Sequence, residues 1–186
     1  MQTKLLLIDF DGTLVDTRQA HYRSYRDALR EVCNVELNEH EYLSTQYGMR
    51  FAEFMHHIGV TDSALTERVR LRKIELYPTH FEMLRLNSWL YDLVVDFKRN
   101  GGKAWIVSAG QGINISNAMK HLGIEELFDG IITGGDVANC KPAPDPFLQA
   151  MAAEDCTPEE CLIFEDSVVG LESAKASGAP YIRVAL

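Results

Sequence analysis

The sequence predicts an α/β protein: an open parallel sheet flanked by helices, with a small all-helical block inserted after the first strand. Three observations predict it. After residue 84, strand-like and helix-like segments alternate four times, which is the pattern of a parallel sheet built from crossover units. Between about 17 and 84 no strand signal occurs, and apolar residues recur at three-and-four spacing, which marks helices. The length of 186 residues suits one ordinary domain or a core carrying a small module. The expected division is 1–16 with 85–186 for the α/β core and 17–84 for the helical insertion.

Taken in order, Lys4 to Phe10 reads as a strand, because Leu5-Leu6-Leu7-Ile8 is an unbroken apolar run of the kind buried on both faces. Asp11-Gly12-Thr13 reads as a turn. From Thr17 to about Cys33 the period is helical. Tyr25, Ala28, Leu29 and Val32 share a face, and Arg23, Arg26 and Arg30 line a polar stripe beside it. Further helices are expected at 39–47, 50–58 and 62–77, with Gly48 and Gly59 as stops and Pro78 closing the helical stretch. Ser88 to Arg99 is a helix ended by Asn100-Gly101-Gly102, and Ala104 to Val107 a strand ending at Ser108. Ile113 to Leu122 is a helix stopped by Gly123, and Gly130 to Thr133 a strand. Pro146 to Ala153 is a helix, and Cys161 to Phe164 a strand running into Glu165-Asp166. Val168 to Ser177 is a helix capped by Gly178, and Tyr181 to Val184 the last strand.

Composition narrows the function classes. With 18 Lys+Arg against 27 Asp+Glu the formal charge is −9, which excludes nucleic acid as a bulk partner. The apolar runs are strand-sized, so a membrane is excluded too, and the N-terminal run is too short for a signal segment. A cytoplasmic protein is expected. Cys33, Cys140, Cys156 and Cys161 contain no C-x-x-C pair and are expected to be reduced. His56, His57 and His121 are expected at the surface, with no zinc site.

In an open parallel sheet, ligands sit beyond the carboxyl ends of the strands. Asp9 and Asp11 follow the first strand, Ser108 the second, and Glu165 and Asp166 the fourth; Lys141 lies in the loop after the third. Converging carboxylates repel one another unless a divalent cation neutralises them. Oxygen-only ligands suit Mg²⁺. A lysine and a hydroxyl beside such a cluster match the charge spread over a phosphoryl group. An i, i+2 carboxylate pair offers one oxygen to attack and a neighbour to move a proton. The loop Ser108-Ala109-Gly110-Gln111-Gly112 has small residues that let N–H groups at a helix start face a phosphate. It is not a dinucleotide loop, because Ile115 occupies the third glycine place.

Asp9-Phe-Asp11-Gly-Thr-Leu-Val-Asp16 resembles motif I of the haloacid dehalogenase-like hydrolases. Ser108 resembles motif II, Lys141 in Lys-Pro-Ala-Pro-Asp-Pro-Phe motif III, and Phe-Glu165-Asp166-Ser-x-x-Gly170 motif IV. The resemblance implies a Rossmann-like core with a helical cap. It implies Asp9 as the nucleophile, forming an aspartyl-phosphate, and Asp11 as acid and then base. Asp9, the Asp11 backbone carbonyl and Asp166 would hold Mg²⁺ with Glu165 assisting, and Ser108, Ala109, Gly110 and Lys141 would bind the phosphoryl group.

Asp11 also separates chemistries, since dehalogenase members lack an acid there. Phosphonatase members use a cap lysine, but the cap's one lysine, Lys73, is expected on a helix surface. Asp16-Thr17-x-x-x-His21 and Gly48-Met49-Arg50 are similar to cap segments of sugar phosphate mutases, which makes His21 and Arg50 candidate substrate contacts. The end at Leu186 resembles a short branch that includes fructose-1-phosphate and phosphogluconate phosphatases. The expected activity is that of a Mg²⁺-dependent phosphatase of a small phosphorylated metabolite such as a sugar phosphate, in a monomer or small homo-oligomer. The alternatives are a hexose-phosphate mutase and a non-catalytic binding protein; the latter is disfavoured because no motif residue is missing.

Overall fold

The computed structural model describes residues 2–186. The first strand, β1 (Leu5–Ile8), has four side chains that are 0–2% exposed, as its unbroken apolar run requires of a strand covered on both faces. The chain then makes a tight loop into β2 (Val15–Asp16). It returns at β3 (Arg85–Leu86), which pairs antiparallel with β2, Val15 opposite Leu86 and Asp16 opposite Arg85.

After β3 the crossover pattern runs as expected. α5 (Ser88–Arg99) leads to β4 (Lys103–Val107), α6 (Gly112–Leu122) to β5 (Gly130–Ile132), α7 (Asp145–Ala153) to β6 (Cys161–Glu165), and α8 (Val168–Ser177) to β7 (Tyr181–Arg183). The strands form one parallel five-stranded sheet in the order β5-β4-β1-β6-β7. Helices on its faces complete the Rossmann-like arrangement. Leu5, Leu7, Val107, Ile132, Phe147, Met151 and Ile163 form a core between the sheet and the helices of one face. Gly123 and Gly178 end α6 and α8 at φ +66° and +81°, the left-handed conformation that glycine adopts without cost.

Residues Thr17–Leu84 form a second compact unit. It contains α1 (Arg18–Cys33), the short α2 (Glu39–Glu41), α3 (Phe51–His57) and α4 (Ser63–Leu76). α1 packs against α4, and Tyr22, Leu29, Tyr42, Phe54, Met55 and Val69 make up its core. Asn38 and Asp62 cap α2 and α4 by accepting from the N–H groups of Glu41 and Leu65.

The expected helix at 39–47 is not continuous, because a π turn, Tyr42–Gln46, follows α2. Nor does Pro78 end the helical stretch. It stands at the start of a 3₁₀ turn, Tyr77–Met83, where its missing N–H costs nothing. Lys73, expected on a surface, is 5% exposed. Its ammonium lies 4.1 Å from the Tyr77 ring centre and 5.2 Å from that of Tyr25, a cation–π setting that compensates its burial. All four cysteines are free thiols. Among the described residues no helix is long and apolar enough to cross a membrane.

Candidate active site

The strand order reverses at β1: the chain moves from it to β4 and β5 on one side, then to β6 and β7 on the other. Such a switch point opens a crevice beyond the carboxyl ends of the central strands. Ile8 is level with Ile106 on β4 and with Phe164 on β6, so the residues that follow these three positions leave the sheet side by side. They include Asp9, Ser108, Glu165 and Asp166.

Lys141 is the hub. Its ammonium, 3% exposed, donates to Asp9 Oδ1 at 2.7 Å, Glu165 Oε1 at 3.1 Å and the Val107 carbonyl at 2.8 Å. Three N–H groups meet three acceptors, so the lysine is held in a single place. Burial pulls its ionisation down, but the Asp9 and Glu165 charges outweigh burial and keep the ammonium above its ordinary value. Burial, with the Glu165 and Asp11 charges behind it, pushes the Asp9 carboxyl well above the usual range in spite of Lys141. Burial and then the Glu165 charge push Asp166 up as well.

Asp9, Glu165 and Asp166 each place a carboxylate oxygen within 4.8 Å of the others'. Three carboxylates against one ammonium leave the cluster negative in a buried setting, and two of the carboxyls are driven toward neutrality there. A divalent cation relieves that repulsion, and a donor set made only of oxygens suits a hard one. The cluster therefore fits such a metal.

The expected ligands differ in how their oxygens are engaged. Glu165, 1% exposed, accepts from Lys141 and the Ser167 hydroxyl on Oε1 and from the Asp166 N–H on Oε2. Both its oxygens are thus already turned to protein donors, and its present work is to orient Lys141 and the strand end. Asp166 accepts from the Thr13 hydroxyl at 3.0 Å.

The Asp11 carboxylate lies across the crevice beside the β4 loop. A side chain at Gly110 would come within 3.2 Å of both Asp11 Oδ2 and Ser108 Oγ. Ser108 is 3% exposed, and its hydroxyl accepts from the Gly110 N–H at 3.0 Å. Ala109 is exposed in the same loop. The structure thus brings Asp9, Asp11, Ser108, Gly110, Lys141, Glu165 and Asp166 to one crevice. His21 and Arg50 belong to the helical unit: His21 stacks on Tyr77 at 4.5 Å, and Arg50 is exposed at the start of α3.

The sequence assigns neither Thr13 nor Asn87 to the site, although Thr13 stands in the Asp11-Gly12-Thr13 turn and in the motif I run. Thr13 follows Asp11-Gly12 directly, so its place beside the carboxylates has a local signal. Asn87 lies more than seventy positions away, and no local pattern marks it; its amide donates to the Thr13 carbonyl at 3.0 Å.

Known proteins resemble this chain along most of its length. Fructose-1-phosphate phosphatase YqaB of Escherichia coli (strain K12) is 28% identical, with 97% of this chain and 96% of that protein covered. Pyrophosphatase PpaX of Bacillus velezensis is 24% identical, with 97% and 82% covered. CbbY from Rhodobacter sphaeroides, solved in complex with phosphate, shares the fold at a TM-score of 0.87 and 23% identity, over 100% of this chain and 87% of that one. The β-phosphoglucomutase of Clostridium difficile does so at 0.80 and 22%, over 100% and 86%. The model of the family described as haloacid dehalogenase-like hydrolase matches residues 6–184, a span that takes in every side chain of the crevice, and the chain belongs to that family.

Proposed function

We propose that this hydrolase is a Mg²⁺-dependent phosphatase that acts on a small phosphorylated metabolite, a sugar phosphate in the first instance, through an aspartyl-phosphate on Asp9. It is an enzyme acting on phosphate esters, placed in the cytoplasm as a monomer or small homo-oligomer. The observation that carries the reading is Lys141, buried and bonded to both Asp9 and Glu165 at the switch point of the sheet. The 28% identical relative is a fructose-1-phosphate phosphatase that aligns over nearly its whole length, which supports a sugar phosphate.

Asp9 attacks phosphorus through the carboxylate oxygen that does not bond Lys141. The new O–P bond forms as the bond to the substrate's ester oxygen breaks, and Asp11 gives that oxygen its proton. Asp11, now a carboxylate, takes a proton from water, and the water oxygen bonds phosphorus as the Asp9–phosphorus bond breaks. Inorganic phosphate leaves, with both aspartates restored. Lys141 and Ser108, with the Ala109–Gly110 backbone, face the phosphoryl oxygens and oppose their charge. Asp9, Asp166 and the Asp11 carbonyl would hold Mg²⁺, which when bound supplies positive charge to the phosphoryl oxygens. His21 and Arg50, in the helical unit read as a cap, are assigned to the rest of the substrate.

The test is phosphate release from a panel of phosphorylated metabolites with Mg²⁺. At least one sugar phosphate is expected to be hydrolysed, and Asp9→Asn to lower kcat by about a thousandfold or more. Silence across the panel would overturn the reading. Isomerised sugar phosphate with little free phosphate would replace it with a mutase.

A further inference from the structure

Asn87 follows β3 and occupies the N-cap position of α5. At such a position an asparagine side chain ordinarily accepts from the first turn of the helix. Here it makes no such bond. Its amide turns away and donates to the Thr13 carbonyl at 3.0 Å, while its own backbone N–H donates to the Leu14 carbonyl at 2.8 Å. Asn87 is 5% exposed and Thr13 fully buried, so neither bond is shared with water. One residue thus grips two consecutive carbonyls of the loop that follows Asp9 and Asp11.

That loop in turn clamps Asp166. The Thr13 hydroxyl donates to Asp166 Oδ1 at 3.0 Å. Gly12, at φ +87°, lies so close to the same carboxylate that a Cβ there would come 2.5 Å from Oδ2. The 13–14 peptide is held on both sides, its carbonyl by the Asn87 amide at 3.0 Å and its N–H by the Asp9 carbonyl at 3.2 Å; losing the Asn87 bond frees the side attached to Thr13, whose hydroxyl holds Asp166. We propose that Asn87 is a positioning residue which, acting through Thr13, holds the Asp166 carboxylate in the orientation that binds the divalent cation. This rests on the reading of Asp166 as a metal ligand. The side chain gives up a helix cap in order to hold a metal-site loop.

The experiment is calorimetric titration of the metal-free protein with Mg²⁺, in the wild type, Asn87→Ser, Thr13→Val and the double variant. Partners one step behind a ligand typically change metal affinity by about 10–100-fold, so Thr13→Val should raise Kd by about that much. Asn87→Ser, one step further out, should raise it about 3–10-fold. In the double variant Kd should stay within about twofold of Thr13→Val alone, because Asn87 has nothing left to act through. Serine is itself a good N-cap, so in Asn87→Ser a restored cap should offset part of the stability lost with the buried bond to Thr13; a merely structural asparagine would lower the thermal stability of the metal-free protein and leave Kd unchanged. Asn87→Ala, which only removes the amide, must repeat the shift. An unchanged Kd in both Asn87 variants, or an Asn87→Ser penalty that adds in full to Thr13→Val, would overturn the inference. A wild type that binds no Mg²⁺ would instead overturn the metal reading beneath it.

Discussion

At Gly170, in the first turn of α8, glycine is required by space rather than by backbone conformation. A Cβ built there would overlap the Glu165 carboxyl, which occupies that volume in order to reach Lys141 and Ser167. Alanine is normally the better helix former by about 1 kcal/mol, so an unobstructed site would gain from Gly170→Ala. Here the substitution should instead cost about 1–3 kcal/mol through overpacking and lower kcat by displacing Glu165 from Lys141. Urea denaturation with steady-state rates checks both, and a stabilised, fully active variant would contradict the packing. The two buried lysines show why residue type alone does not reveal environment. Lys141 sits among carboxylates, whereas Lys73 lies over the rings of Tyr77 and Tyr25. Lys141 was legible because Pro-rich motif residues surround it; Lys73 carries no such mark.

Between elements, the entry to β5 is pinned by one carboxylate. Asp129 accepts from the Ala104 N–H at 2.9 Å, from Lys98 at 2.5 Å and from Lys103 at 3.0 Å, tying β5 to β4 and to α5. Burial raises its carboxyl, but Lys98, the Ala104 N–H and Lys103 together outweigh burial and hold it below its ordinary value. A carboxylate held low in the fold contributes stability above the unfolded pKa, about 3.9, and that contribution is lost as pH falls through the folded value. Asp129→Asn should therefore cost about 1–2 kcal/mol at neutral pH, with the gap to wild type closing below about pH 4. Urea midpoints at neutral pH and below the carboxylate range test this; a gap independent of pH would show that charge is not the cause. Most element boundaries fell within a residue or two of the sequence pattern, since period and stop signals are local. The β2–β3 ribbon was not legible, because two residues per strand cannot display a period and their partners lie about seventy positions apart.

At the scale of the whole molecule, the chain divides into two compact units, Met1–Asp16 with Arg85–Leu186 and, separately, Thr17–Leu84. Asp16 and Arg85 are paired across the ribbon, so the two ends of the insertion already sit at hairpin distance. Replacing 17–84 by an Asn-Gly turn should close a short hairpin and leave a sheet unit that folds and keeps Mg²⁺ affinity within about tenfold, since Asp9, Glu165 and Asp166 all belong to it. Circular dichroism and metal titration decide, and an unfolded product would show that the sheet unit depends on the insertion. Charge follows the same division: the insertion holds 9 basic and 10 acidic side chains, the rest 9 and 17, so the acidity gathers in the unit that carries the metal-site carboxylates. The helices, the strands, the long insertion and the chemistry at the strand ends could be read from the chain alone, because each is written in short-range spacing. Strand order, the two engaged oxygens of Glu165, the burial of Lys73 and the bond from Asn87 to the loop over Asp166 appeared only in the folded molecule. Each depends on which distant segments share a neighbourhood, and that is settled by tertiary packing rather than by any local run of residues.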